Sequence, residues 1–309
     1  MTVLTKTWRK MWPQTKLSKQ EAKWFYIFIM PWLIGFLAFT LYPMVAAAFY
    51  SFTEYNVTKM EFVGPQNFKE LLTDSNLLIS TWVTAKFVLV SVPLNIIAAL
   101  SVAILLNQNV PLLTFWRTIY YLPSVISGVA SALLWRWVMN PQYGLLNFLL
   151  GLVGIQGPRW FWSEQWAIPS FWVMGLWGIG GPMVIYLAGL QGVPTALYEA
   201  AEIDGANAWQ KFRKITVPMI SPVILFTFIT NMIGAIQVFT QMYVINDNGG
   251  PNNATLVYVL YLFKNAFRWF RLGYAYALAW VLFIVIGVLT LLMLRASQRV
   301  VYYEEPGAG

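Results

Sequence analysis

The chain contains no histidine and no cysteine, and only 10% of its 309 residues are charged. Each shortage removes a class of chemistry. Without imidazoles and thiols there is no conventional zinc site, no disulfide, no thiol nucleophile and no Ser-His-Asp or Cys-His relay. None of the 12 Asp and Glu falls deep in a long apolar run, so the buried carboxylates that couple protons or cations to transport are missing. No Gly-Lys-Ser or Gly-Lys-Thr occurs, so the chain has no phosphate-binding loop, and any ATP that drives it binds elsewhere. The expectation is a polypeptide with no catalytic residue, no metal and no cofactor.

What is present is apolar surface. Hydrophobic residues make up 59% of the chain, with 16 Trp and 16 Tyr. A soluble domain carries about 25% charge. This composition instead suits a chain in a lipid bilayer with aromatic side chains at the water boundaries. The net charge of +8 would suit nucleic acid, but the basic residues gather at the flanks of apolar segments rather than in one stripe, so no nucleic-acid partner is expected.

About 20 apolar residues cross a bilayer core. By that measure six helices are expected, over Trp24–Phe49, Leu77–Leu106, Phe115–Met139, Ala167–Leu190, Thr216–Ile245 and Gly273–Leu294. Pro31, Pro43, Pro93, Pro123, Pro182 and Pro222 fall within or at the ends of these spans, which neighbouring helices make tolerable. The first span is too long for a signal-peptide core and has no cleavage pattern behind it. Lys6, Arg9, Lys10, Lys16, Lys19 and Lys23 precede it; with six spans Arg117, Lys211, Arg213, Lys214, Arg295 and Arg299 lie on the same side. The other side holds fewer cations, among them Lys264, Arg268 and Arg271, with Glu54, Glu61, Glu70 and Asp74 in its first loop. The bias puts both termini in the cytoplasm, and the lipid bilayer becomes the first partner.

One polar island interrupts the apolar pattern. Tyr198-Glu-Ala-Ala-Glu-Ile203 reads as helix, Asp204-Gly205 as a turn that uses a positive φ, and Asn207 as the cap of a second short helix ending in Lys211, Arg213 and Lys214. Pro218 then opens the next apolar segment. Two short helices on the cytoplasmic side form a projecting knob. The charges alone also suit the helix dipoles with no partner at all.

The order Glu199-Ala200-Ala201, Asp204-Gly205, Ile215-Thr-Val-Pro218 resembles the EAA loop of ABC importer permeases. Phe62-Val-Gly-Pro-Gln-Asn-Phe68, Arg117-Thr-Ile-Tyr-Tyr-Leu-Pro123, Leu134-Trp-Arg-Trp137, Gly144-Leu-Leu-Asn147, Leu187-Ala-Gly-Leu-Gln-Gly-Val-Pro194, Gly249-Gly-Pro-Asn-Asn-Ala-Thr255 and Gly273-Tyr-Ala-Tyr-Ala277 are similar to the carbohydrate-uptake branch. The larger-subunit type, typified by maltose and glycerol-3-phosphate systems, matches best. Its partner type carries an Asn-Glu dipeptide that this chain lacks.

The resemblance implies a fold and a set of partners. The fold is all-α and integral to the membrane, with six transmembrane helices and a cytoplasmic double-helix coupling loop, as in type I ABC importers. The parts are a basic segment 1–23, a first span and outer loop 24–61, a permease core 62–294 with the coupling loop at 195–218, and a tail 295–309. The chain would form half of a heterodimer with a second permease subunit, on two cytoplasmic ATP-binding subunits, fed by an extracytoplasmic solute-binding protein, in a bacterial or archaeal cell membrane. Glu199, Ala200, Ala201, Asp204, Gly205, Ile215 and Pro218 would couple to the ATPase. Positions matching the polar sugar contacts of maltose permeases hold Met174, Met232 and Ile236, which speaks against maltose itself.

Polar residues inside spans are the candidates for a cargo path. Thr230, Gly234, Gln237 and Gln241 share one helical face, with Asn231 on its border. Amides and aromatics suit sugar hydroxyls, and the same amides also suit bonds between helices. Trp177, Gly178, Gly180, Gly181 and Pro182 suit either a loosened helix facing substrate or close packing on glycine. The expected pathway residues are Trp177, Gly181, Asn231, Gln237 and Gln241. Lys86 either snorkels to the surface or meets an anionic cargo. Trp160, Trp162 and Trp166 are expected to mark the outer interface. The function expected is an ATP-driven, binding-protein-dependent importer of a sugar or oligosaccharide; a stand-alone secondary transporter is the alternative, and a membrane enzyme lacks the acids and bases it would need.

Overall fold

The computed structural model describes residues 16–56, 58–108 and 111–298. The expectations for Lys6, Arg9, Lys10, Arg299 and the rest of the tail lie outside the described residues. Four helices are long and apolar enough to cross a membrane, or up to six when each sharply bent pair is taken as one span. Among the described residues the other regular element is a small hairpin, β1 (Thr53–Tyr55) with β2 (Met60–Phe62), in the register Glu54↔Glu61.

In the first span α1 (Lys16–Phe36) passes through a π-turn (Leu37–Leu41) into α2 (Tyr42–Tyr50). Pro43 has no N–H to offer the preceding turn, and its ring crowds a carbonyl there. A wider turn absorbs that defect without a kink. The apolar window of this span has no buried residue, and its last turn reaches the rest of the chain where the Tyr50 ring lies 5.5 Å from that of Tyr276.

At the hairpin end the polar groups are knotted together. In α3 (Gln66–Leu71), Asn67 Nδ2 donates to the carbonyls of Ser51 and Thr53, each at 2.9 Å. Asp74 caps the long helix α4 (Ser75–Leu106) by accepting from the amides of Asn76 and Leu77. Its second oxygen accepts from the hydroxyls of Tyr261 and Tyr274. Arg271 pairs with Glu70 at 2.5 Å and lies 4.4 Å over the Tyr274 ring. The cations that run against the expected charge bias are engaged: Arg271 on Glu70, Arg268 on Asp247 at 2.5 Å, and Lys264 on the Asn248 carbonyl at 3.2 Å. A Cβ at Gly273 would collide with the Thr53 carbonyl, so the first turn of α16 (Leu272–Ser297) carries glycine there.

Helix α4 is the axis of the molecule. At 1.5 Å per residue it extends roughly 48 Å. Toward the hairpin its Phe87, Val88 and Val92 join a core with Phe171, Met242, Tyr258 and Leu278. Toward the island Ala99 and Ala103, one turn apart and fully buried, let Met183 and Tyr186 approach closely.

Two expected spans are sharply bent pairs, and a third, Ser221–Asn246, runs on as one span but is interrupted at Gln237–Phe239. Phe115–Met139 is α5 (Leu113–Val125) and α6 (Gly128–Val138), bent by 102°. Pro123 weakens the end of α5, Ile126 is extended, and Ser127 Oγ caps α6 by accepting from the Ala130 amide. After α7 (Leu145–Leu152), Ala167–Leu190 is α8 (Ala167–Leu176) and α9 (Gly180–Gln191), bent by 47° at the glycine-rich Trp177–Ile179 link. Beyond the island helices α10 (Thr195–Ile203) and α11 (Ala208–Lys211), Thr216–Ile245 holds the short α12 (Val217–Met219), then α13 (Ser221–Ile236) and α14 (Thr240–Asn246), the last two separated at Gln237–Phe239. A short α15 (Tyr258–Phe263) precedes α16. Trp160 also departs from expectation: it is buried, and its Nε1 donates to Asn147 Oδ1 at 2.6 Å, because Asn147 ties α7 to the carbonyls of Pro141 and Pro158. Trp166 stays exposed.

Two tests follow from this packing. Burial acts to raise the Asp74 pKa, but hydrogen bonds from Tyr261, Tyr274, Leu77 and Asn76 outweigh it and hold the carboxyl below its ordinary value of 3.8. Burial and the contact with Asp74 push Tyr261 up to about 12. A depressed carboxyl contributes stability above its unfolded pKa, and that contribution fades as pH falls through the folded value. Asp74→Asn should therefore lower Tm by roughly 2–6 °C near neutral pH, and the gap to the parent should close below 3.8 in a pH series of melts. Separately, a Cβ on Gly180 would strike the Tyr120 carbonyl and lie 2.7 Å from Tyr121 Cα, whereas one on Gly181 meets nothing within 4 Å. Gly180→Ala should cost about 1–3 kcal/mol by forcing α5 from α9, with Gly181→Ala near neutral in the same melting assay.

Candidate functional site: a broken-helix cavity and a projecting island

The three helix breaks border two adjoining, open hollows that share Phe87, Val238 and Gln241 as a common wall. The larger, about 490 Å³, lies among α4, α9, α13 and α14, with Ser91, Asn95, Pro182, Thr230, Asn231, Gln237 and Gln241 in its lining. The smaller, about 250 Å³, sits where Pro123, Gly128, Ser131, Met174 and Trp177 converge.

Hydrogen bonding within this lining is only partly internal. Asn231 Nδ2 donates to the Thr227 carbonyl at 2.8 Å, and Thr230 Oγ1 to the Phe226 carbonyl at 2.9 Å. Asn95 Nδ2 donates to the Ser91 carbonyl at 2.8 Å, while Ser91 Oγ is buried without a partner. Among the described residues the side-chain amides of Gln237 and Gln241 make no hydrogen bond to protein. Gln237 is exposed and Gln241 half-buried, so both amides are free to meet a ligand that supplies several hydroxyls. Trp177 packs edge-on against Trp135 with ring centroids 6.1 Å apart.

The structure thus brings Asn231, Gln237 and Gln241 to one hollow and Trp177 to its neighbour. Gly181 lines neither; the adjacent Pro182 does. The single helical face expected for Thr230, Gly234, Gln237 and Gln241 is interrupted, because the helix ends at Ile236 and restarts at Thr240. No Gly or Pro marks that break. Packing decides it: Phe239 lies 5.3 Å from the Tyr243 ring and 5.0 Å from that of Phe263. Sequence reasoning missed Ser91 and Asn95, although two polar residues one turn apart around Pro93 in an apolar helix were a usable sign. Lys86 lines neither hollow; it is exposed, with Nζ 5.7 Å from the Trp82 ring centroid.

The island consists of α10 (Thr195–Ile203) and α11 (Ala208–Lys211). Gly205 turns the chain at φ +74, and the Ala206 amide donates to the Ala201 carbonyl at 2.8 Å. Asn207 and Gln210 form a reciprocal capping box. Lys211 pairs with Glu202 at 2.7 Å. Glu199, Ala200 and Asp204 are exposed, Ala201, Ile215 and Pro218 half-buried. Ile203, 89% exposed, and Trp209, 65% exposed, form an apolar tip.

Pro218 does not open the following segment as expected. The helix runs on from α11 through a π-turn (Phe212–Thr216) into α12 (Val217–Met219), and α13 follows Ile220. The wider turn, closed by the Val217 amide on the Phe212 carbonyl, precedes the proline and takes up its missing donor.

Residues 87–302 match the family described as the inner membrane component of binding-protein-dependent transport systems. Over 90% of its length the chain is 42% identical to a probable ABC transporter permease, YesP, of Bacillus subtilis, and covers 92% of it. It is 35% identical, over 84% of its length and 87% of the relative's, to the trehalose/maltose permease protein MalF of Thermococcus litoralis. It is 32% identical to the multiple sugar-binding transport permease MsmF of Streptococcus mutans, over 89% of this chain and 96% of that one. Its fold superposes on a chain of a bacterial ABC transporter involved in alginate import with a TM-score of 0.80, at 24% identity, covering 93% of this chain and all of the other. Bent spans, a polar-lined hollow and an EAA-type island therefore belong to a family member: this chain is an inner membrane component of a binding-protein-dependent transport system, the multi-pass permease subunit of an ABC importer.

Proposed function

We propose that this permease carries a saccharide through the two adjoining hollows, as one half of a heterodimer driven by ATPase subunits docked on the island. The observation that carries the cargo reading is the pair of unpartnered amides, Gln237 and Gln241, set beside Asn231, Ser91 and Thr230 with Trp177 in the next hollow. Amides supply donor and acceptor together, and an indole offers a flat apolar face, the combination a sugar ring with its hydroxyls uses. The names of the trehalose/maltose and multiple sugar-binding relatives support the same class.

The partner reading rests on the island. Its exposed apolar tip at Ile203 and Trp209 suits a cleft on another protein. Glu199 stands exposed and, among the described residues, unbonded, beside a turn whose shape depends on Gly205. The charge bias supports placing the island and both termini in the cytoplasm, where ATP is. The second permease subunit, the paired ATPases and the extracytoplasmic binding protein complete the assembly, and this chain hydrolyses no ATP itself.

Two experiments test these roles. An affinity-tagged chain expressed with its neighbouring subunits should co-purify with the ATPase; alone it should show no ATP turnover. Gly205→Val forces a β-branched residue to φ +74, and Glu199→Lys reverses the charge of the docking face. Each should insert normally and lose at least about tenfold in transport; wild-type transport in either would remove the island from coupling. For the cargo, Gln237→Leu with Gln241→Leu should leave assembly and binding-protein-stimulated ATPase intact while uptake of oligosaccharides falls or changes preference. Full uptake, or failure to assemble, would end the substrate role of those amides.

A further inference from the structure

Two tyrosine–threonine hydroxyl pairs lie along the helical run that joins the island to the cavity. Tyr198, on α10 of the island, meets Thr216 Oγ1 at 2.9 Å. Tyr186, on α9, meets Thr227 Oγ1 at 2.5 Å, with both residues buried. Thr216 and Thr227 are separated by about three helical turns, so they face the same way, roughly 16 Å apart along the run. The run between them is joined by hydrogen bonds across its one irregular residue, from the Ile220 amide to the Thr216 carbonyl and from the Ile224 amide to the Ile220 carbonyl. The inner pair connects directly to the cavity: the Thr227 carbonyl accepts from Asn231 Nδ2 at 2.8 Å and from Thr230 Oγ1 at 3.2 Å.

The salt bridge between the two island helices is of a different kind. Glu202–Lys211 is exposed on the Glu202 side, and such pairs are weak and screened by salt. The hydroxyl pairs are shielded, with Thr216 buried and the Tyr198 ring packed on the core around Met183 and Ile220. A tilt of α10 can leave the salt bridge loosely satisfied, but it must either break the Tyr198–Thr216 bond or move Thr216. If Thr216 moves, the rigid run moves with it, and Thr227 shifts against Tyr186.

We infer that Tyr198–Thr216 and Tyr186–Thr227 form a two-rung ladder that transmits displacement of the island to the Asn231 side of the cavity. These four are positioning residues; none of them lines a hollow. The inference rests on the reading that the island docks the ATPase.

The absence of native cysteine makes a clean reporter possible. In the complete importer, Thr230→Cys in the large hollow would be labelled with a membrane-impermeant maleimide, with and without ATP plus vanadate. In the parent, nucleotide trapping should change the labelling rate at least fivefold. Tyr198→Phe and Tyr186→Phe keep the rings and remove the hydroxyls; each should cut that change to less than twofold while the ATPase still co-purifies and still traps nucleotide. Thr216→Val should behave like Tyr198→Phe, their combination should be no worse than either alone, and Thr216→Ser should restore the response. An unchanged response in both Phe variants, or additive losses in the combined variant, overturns the ladder. Loss of assembly in Thr216→Val but not Thr216→Ser also overturns it, since the hydroxyl would then serve folding alone. Failure of the parent to hold the ATPase would instead overturn the docking reading, and the ladder with it.

Discussion

A peptide group inside hydrocarbon has no water to bond to, so a helix can stop only where protein or an interior hollow receives its freed amides and carbonyls. That constraint organises this permease. The interruptions at Ile126–Ser127, Trp177–Ile179 and Gln237–Phe239 are brought around the same pair of hollows, against the unbroken α4. The first span lines neither of these hollows and is handled differently: a wider turn before Pro43 keeps the rod continuous. Local sequence defects of similar strength thus have opposite outcomes, depending on whether something stands ready to satisfy the backbone.

Much of this was legible in the sequence, for identifiable reasons. The six apolar regions and the helix–turn–helix of the island depend on composition, on Gly205 and on the Asn207 cap, all of them local features. Family membership sets aside the stand-alone secondary transporter. What was not legible depends on contacts. The break at Phe239 carries no Gly or Pro and follows from aromatic packing on Tyr243 and Phe263. Gly180 rather than its neighbour Gly181 meets the α5 backbone, a difference of about 100° around a helix that only the partner's position can resolve. Trp160 looked like an interface residue until its partner Asn147, thirteen positions earlier, was placed beside it.

The two ends of the molecule solve the same problem in unlike ways. At the hairpin end, ions and hydroxyls converge on Asp74 and Arg271, binding the first span, α3, α4 and α16 into one block. At the island end, uncharged hydroxyls and small residues such as Ala99 and Ala103 carry the packing. One end is built to hold still. The other joins its helices through close contacts over small side chains and through two shielded hydroxyl pairs, whose buried members would be left unsatisfied if they parted.

The π-turn at Phe212–Thr216 has a consequence for how such a chain can vary. Relative to an α-helix, a single π-turn accommodates one extra residue, and each residue advances the helix by about 100°. The turn therefore sets the azimuth of the island against the azimuth of Asn231, like the offset between two gears on one shaft. Point substitutions on either side leave that phase alone, whereas a one-residue deletion there would keep both surfaces chemically intact and aim them in different directions.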